Sequence, residues 1–357
     1  MWESLSLPAL LAIFAASGAV IWVSGIQLSN SVDVLATQLN LGAALGGVIL
    51  LAIATDLPEV AITASASLSG HLGIAIGNLL GGVAVQTVVL VAVDAFGVPA
   101  GRPLTYRAAS LVLVLEGSFV CALLVVAILG TQLPGSLVFA HLSPASVMIA
   151  VLWLLGIWLL NVARRGLPWH DEMGDAPDTQ EEPRGAAMEK KHRRALERGH
   201  STGRVALVFA IAAAATLLAG VTIERAGEGI AGSIGMQGVL FGATFLAMAT
   251  ALPELSTGLA SAKLGDYQLA IADIFGGNAF LPVLFLLATI LSGQAVLPAA
   301  QDTDIYLTAL GVLLTIVYVT GLIFRPPRVI ARLGIDSIAV MALYVLGMAG
   351  LVAVASS

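Results

Sequence analysis

Charge is what this sequence has least of. Asp, Glu, Lys and Arg make up 11% of its 357 residues, against about 25% in an ordinary soluble domain. With 58% hydrophobic residues and a mean hydropathy of +0.97, the composition excludes a water-soluble fold and indicates an integral membrane protein. Cysteine is nearly absent. The one residue, Cys121, excludes an internal disulfide and a cysteine metal cage, and reads as a small apolar side chain in a membrane helix. The N-terminus, Met1-Trp2-Glu3, lacks the basic patch of a signal peptide, so the first apolar run is expected to be a mature helix. There is no His-Glu-x-x-His helix, no phosphate loop and no serine nucleophile motif. Neither an enzyme nor a cofactor is expected, and no nucleic-acid partner; the partner that the composition implies is the lipid bilayer.

What the chain has instead is long apolar runs. A bilayer core of ~30 Å needs about 20 helical residues, and the runs predict an all-α membrane protein of ten transmembrane helices, at 8–28, 39–69, 73–94, 107–130, 144–162, 205–224, 236–263, 267–292, 303–324 and 334–355. A polar stretch from Arg164 to Arg204, with Pro168, Pro177 and Pro183, divides them. The expected units are a five-helix repeat over 1–163, a cytoplasmic linker over 164–204 and a second five-helix repeat over 205–357. The linker reads as a solvated connection, with a basic amphipathic helix around Met188–Arg198 as the alternative. Ten spans place 15 of the 16 Lys and Arg residues on one side, leaving only Arg225 on the other. Basic loops stay in the cytoplasm, so both termini are expected outside, in the plasma (inner) membrane of a prokaryote. Five is odd, so the second half enters the membrane inverted. Inverted repeats are an architecture of secondary transporters, with the substrate site near the midplane between the copies.

The repeat is visible in the letters. Ala52-Ile-Ala-Thr-Asp-Leu-Pro-Glu59 returns as Ala247-Met-Ala-Thr-Ala-Leu-Pro-Glu254, and a constant offset of 195 residues also superposes Gly70 on Gly265 and Gly81-Gly82 on Gly276-Gly277. Apolar identities mean little in a membrane chain. Shared polar residues mean more, because each is costly in lipid.

Proline lacks an N–H and clashes with the carbonyl four residues earlier. Pro58 and Pro253 should therefore free the carbonyls of Ala54 and Ala249 and tilt those of Thr55 and Thr250. Freed carbonyls within a membrane find a partner or line a cavity. Glu59 and Glu254 follow one residue later. Thr55, Glu59 and Thr63 share one helical face, as do Thr250, Glu254, Thr257 and Ser261. Each glutamate is about ten residues, or ~15 Å, from the turn that ends its helix, which reaches the midplane of a ~30 Å core. No Lys or Arg of the expected spans lies at that depth. Asp56 and Asp273 add further acids, and Asn78, at the repeat position of Asp273, is placed to complete a cation shell. Two buried like charges call for a proton or a cation. Calcium, with 6–8 oxygen ligands, answers the need; sodium and protons are the smaller alternatives. The competing reading is a pair of protonated glutamates hydrogen-bonding across the bundle. The glycine pairs either let helices pack closely or break the third and eighth spans. Glu116, in the fourth span, is either a proton site or a protonated carboxyl bonded to a neighbouring helix. His71 is expected in a solvated outward turn.

At these residues the sequence resembles the cation/calcium exchanger superfamily, whose two inverted alpha-repeats each carry a Gly-Thr/Ser-Ser-Leu-Pro-Glu and a Gly-Asn-x-x-Gly-Ser-Asn element. The resemblance implies that Glu59 and Glu254 bind calcium with the backbone oxygens of Thr55 and Thr250, and that a pair of gating helices slides across a fixed core. It implies Na+/Ca2+ antiport, with an H+-coupled antiporter of the same fold as the alternative and a cation channel less favoured. The transported ions would be Ca2+ and Na+, or H+ in place of Na+. The chain departs from the pattern at Asp56 and Ala251, which replace a serine, at Gly82 and Gly277, which replace another, and at Gln86 and Leu281, where the family places Asn or Asp. These changes remove sodium ligands and put acids back near the glutamates.

Overall fold

A computed structural model describes residues 5–38, 47–163 and 202–356. The proposed linker helix at 188–198 lies outside them. The described residues are helical, with one hairpin of two-residue strands among them. In order, the first half has α1 (Leu7–Gln38), α2 (Gly47–Thr55), α3 (Leu57–Ser69), α4 (Leu72–Gly97), α5 (Leu104–Ala108), α6 (Leu111–Thr131) and α7 (Pro144–Ala163). The second has α8 (Thr202–Ile234), α9 (Gly238–Thr250), α10 (Leu252–Lys263), α11 (Tyr267–Phe280), α12 (Leu284–Ser292), α13 (Asp302–Phe324), the antiparallel strands β1 (Val329–Ile330) and β2 (Leu333–Gly334), and α14 (Ile335–Ala355).

Among the described residues, eight helices are long and apolar enough to cross a membrane, and the bent pair α9–α10 makes a ninth. The expected span at 39–69 is the pair α2–α3, with residues 39–46 outside the description. Both of these spans are broken where the sequence repeats. The first breaks at Asp56 (φ −81°, ψ 7°), the second at Ala251 (φ −80°, ψ 3°). Flanking bonds match as well. Asp56 N–H donates to the Ala52 carbonyl at 3.0 Å and Val60 N–H to that of Asp56 at 3.1 Å; Ala251 N–H donates to Ala247 at 3.0 Å and Leu255 N–H to Ala251 at 3.1 Å. The prolines sit in the first turn of α3 and α10, where a missing N–H costs least. Gly70, past the end of α3, and Gly265, two residues beyond α10, adopt left-handed φ values of 81° and 87°. A side chain there would be strained.

α4 is the most buried of the spans. It packs on α3, α10, α11, α13 and α14, and this cluster forms the main apolar core. α1 lies along α8, and both also contact the broken spans. The glycine pairs do not break their helices. α4 runs unbroken through Gly81-Gly82, and α11 ends only at Phe280, before the 3-10 turn that contains Pro282. Close approach explains them better: a Cβ on Gly81 would lie 2.3 Å from Ala243 Cα, and one on Gly77 2.5 Å from the Val239 carbonyl oxygen. The segment that Gly81 meets, Gly242–Leu246, is π-helical, a local irregularity often found beside functional sites.

Two ends of the bundle can be told apart. At one, Arg102 and Arg325 stack on Tyr106, 4.7 and 5.2 Å from the ring centre, and Arg107 on Tyr267 at 5.4 Å. Asp94 ties that end together, accepting from Leu104 N–H, Gly334 N–H and the Ser337 hydroxyl, each at 2.7 Å. At the other end, the Gln237 side chain donates to the Ala355 carbonyl at 3.0 Å.

Candidate functional site

The two breaks face each other through α4 and α11. Asp56, Glu59, Glu254 and Asp273 are all buried, none more than 1% exposed. Asp56, Glu59, Glu254 and Asp273 lie near enough to interact electrostatically, with Thr250 beside Glu59. All four carboxylate oxygens of Glu59 and Glu254 lack a hydrogen-bond donor. Among the described residues, no Lys or Arg pairs with either glutamate. A buried acceptor without a donor loses its hydration for nothing, and an ion can supply the missing partner.

Around the acids lie short polar side chains from α4, α10 and α11. Gln86 donates to Asp56 Oδ1 at 3.1 Å. Thr257 donates to Asp273 Oδ2. Asn278 donates to the Thr87 hydroxyl at 3.0 Å. Asp56 and Gln86 reach this position because Gly277 has no side chain: a Cβ there would lie 3.1 Å from Asp56 Oδ2 and 3.2 Å from Gln86 Oε1. The glycine that replaces a family serine thus makes room for an acid and an amide.

The sequence-expected residues fall as follows. Glu59, Glu254, Asp56, Asp273 and Thr250 are brought together. Thr55 is buried at the end of α2, its hydroxyl turned back to the Leu51 and Ala52 carbonyls at 3.2 and 3.0 Å, which leaves its backbone oxygen at the break. Asn78 is fully buried with both amide atoms unpartnered, next to Gly242. Thr55 and Glu59 stand on different helices, so the break, not a single helical face, brings them together. His71 is not simply solvated: its Nε2 lies 2.6 Å from Glu228 Oε1.

Sequence reasoning passed over Gly25 and Gly220. A Cβ on Gly25 of α1 would lie 2.6 Å from Pro253 Cβ, and one on Gly220 of α8 would lie 2.7 Å from Ala61 Cβ and 3.0 Å from the Pro58 carbonyl oxygen. Each long helix therefore rests on the proline of the other half's motif. The signal was present, since 25 and 220 differ by the same 195 residues.

The family model described as sodium/calcium exchanger protein matches residues 9–164 and 204–352. The chain is 25% identical over 259 residues to the inner membrane protein YrbG of Escherichia coli (strain K12), covering 72% of each. It is 24% identical over 298 residues to CaxA of Alkalimonas amylolytica, whose name designates a candidate antiporter, covering 82% of this chain and 85% of that one. Among solved structures, the sodium-calcium exchanger NCX_Mj aligns with a TM-score of 0.59 at 17% identity, over 96% of this chain and 99% of its own. The H+/Ca2+ exchanger CAX aligns with a TM-score of 0.61 at 15% identity, over 96% and 82%. The family model spans both halves and both carboxylate motifs, and the chain belongs to the sodium/calcium exchanger family, whose members are transporters rather than enzymes.

Proposed function

We propose that this protein is a secondary active cation antiporter that exchanges Ca2+ for Na+ by alternating access at a midplane site. Glu59 and Glu254 are the central ligands, with the backbone oxygens of Thr55 and Thr250, and Asp56, Asp273 and Asn78 in the surrounding shell. The architecture is ten transmembrane helices in two inverted five-helix repeats, 1–163 and 205–357, joined by a cytoplasmic linker at 164–204. It sits in a prokaryotic plasma membrane with both termini outside. One observation carries the reading: two symmetry-related glutamates at matched helix breaks, fully buried, with four oxygens that no donor satisfies. Calcium takes about 6–8 oxygens from carboxylates and carbonyls, which is what broken helices in a membrane supply.

A specific observation favours a second reading, coupling to protons. Asp56 Oδ2 and both oxygens of Glu254 are buried without a donor, and two carboxylates that approach each other in such a site bond only through a shared proton. Like charges in one buried site are relieved by a cation or a proton, so this pair would take up a proton as calcium leaves. Sodium remains the leading choice, because the backbone oxygens that hold it in other transporters do not depend on side-chain identity. Reconstituted vesicles loaded with calcium distinguish the two. Calcium efflux driven by an inward sodium gradient at fixed pH is the expected outcome. Efflux indifferent to sodium but driven by an inward proton gradient transfers the coupling to Asp56 and its neighbours. Uncoupled conductance would make the protein a channel and overturn antiport altogether.

A further inference from the structure

Away from the central acids, α8 carries Glu224 and Glu228, four residues apart and so on one helical face. Opposite them is His71, between Gly70 and the start of α4. His71 Nε2 lies 2.6 Å from Glu228 Oε1, and His71 Nδ1 lies 3.8 Å from Glu224 Oε1. The second distance is too long for a hydrogen bond. Both of its atoms are buried and without a hydrogen-bond partner, although Glu224 is 0% exposed. The rest of Glu224 is fixed. Its Oε2 accepts from Ser65 at 2.8 Å and pairs with Arg225 Nε at 3.3 Å. Arg225 is held in turn by its bond to Ser69. One oxygen is therefore anchored and the other is left open toward the imidazole. One donor atom from each of His71, Glu224 and Glu228 lies within 4.8 Å of the others.

We propose that His71, Glu224 and Glu228 form a binding site for a zinc-class divalent ion, separate from the central acids. An imidazole and two carboxylates are three of the four ligands that zinc takes, and water completes the set. The imidazole selects against calcium and magnesium, which prefer oxygen. Two carboxylates, Glu224 and Glu228, face one guanidinium, Arg225, an excess of negative side chains that draws in a dication. The three residues come from two segments, the α3–α4 turn and α8, so a bound ion clamps α8 to that turn. That consequence rests on the antiport reading, with α1 and α8, which pack along each other and on both broken spans, taken as the pair of helices that slides; the binding site itself does not.

The full-length protein in detergent, titrated with Zn2+ against a chromophoric chelator, is expected to bind one high-affinity equivalent per chain that a large excess of Ca2+ does not displace. His71→Gln and Glu228→Gln should each weaken it by at least roughly tenfold. Glu228 is part-exposed and outside the core, so its variant is expected to fold even if the histidine variant does not. The double variant Glu59→Gln/Glu254→Gln should retain the zinc, and the zinc K-edge spectrum should show one imidazole among oxygen ligands. Zinc binding that is absent, or that is lost with the central double variant and kept in both Glu228→Gln and His71→Gln, overturns the site. In vesicles, zinc should slow calcium flux in the wild type and not in Glu228→Gln; bound zinc with unchanged flux overturns the clamp. Vesicles that show no flux without zinc would refute antiport and leave the binding result intact.

Discussion

At the scale of single residues, four oxygens define the candidate site. Glu59 and Glu254 each offer two buried acceptors without a donor, and replacing either carboxylate by an amide keeps the shape while removing a charge. Glu59→Gln and Glu254→Gln are each expected to reduce calcium transport below detection in vesicles while eluting as folded protein; full flux in either would remove the glutamates from the site. The glutamates were legible in the sequence because an acid is expensive in lipid and this one occurs twice. The Asp56–Gln86 bond was not, because the partners are 30 positions apart on different helices and Gln86 stood out only as a departure from a pattern. Glycine roles differ even between repeat mates. A methyl on Gly81 would meet backbone, 2.3 Å from Ala243 Cα, whereas one on Gly276 would meet a side-chain methyl at 3.3 Å. Gly81→Ala should therefore cost roughly 1–3 kcal/mol by overpacking, and Gly276→Ala clearly less. Thermal unfolding of the two variants side by side tests the ranking.

At the scale of elements, the repeated motif marks spans two and seven as special, and the sequence reading takes each as one continuous span. The structure breaks them, and the matched dihedrals at Asp56 and Ala251 show that proline sets the break whichever residue precedes the Leu-Pro-Glu. Other features were hidden for physical reasons. The π-helical turn at Gly242–Leu246 has no marker in its residues, and it shows in the bond from Ala247 N–H back five residues to the Gly242 carbonyl. α8 extends ten residues past the expected end at 224, because Glu224, Arg225 and Glu228 look like a helix terminus on hydropathy alone, yet Glu224 Oε2, Arg225 and Glu228 are held by Ser65, Ser69 and His71. The reciprocal contacts of Gly25 on Pro253 and Gly220 on Pro58 have a consequence for motion. If α1 and α8 slide over the core, a methyl at either glycine narrows the clearance at a proline. Gly25→Ala and Gly220→Ala are expected to slow exchange by similar factors while calcium binding in detergent persists. A loss confined to one of the two would break the reciprocity.

At the scale of the whole molecule, the contacts sort the loops into two groups, and the groups agree with the charge pattern. Arg102, Arg107 and Arg325 gather around Tyr106 and Tyr267, and Asp94 binds the hairpin loop to the same end. The α8–α9 turn meets the C-terminal end of α14 at the opposite end, through Gln237 and Ala355. These are the sides that the Lys and Arg distribution assigned to cytoplasm and exterior. The geometry is symmetric between in and out, however, so only the charge bias sets the absolute direction. Labelling tests it. In a background with Cys121→Ala, Ser233→Cys lies in an exposed stretch at the C-terminal end of α8, and Ala100→Cys is exposed in the loop between α4 and α5. An impermeant maleimide applied to intact cells should modify the first and spare the second, and permeabilised cells should show both. The reverse pattern would invert the protein in the membrane, put both termini in the cytoplasm and place the basic loops outside against the usual bias. Labelling of both in intact cells would put residues 100 and 233 on one side, which an odd number of crossings between them forbids, and the five-plus-five arrangement would fall with it.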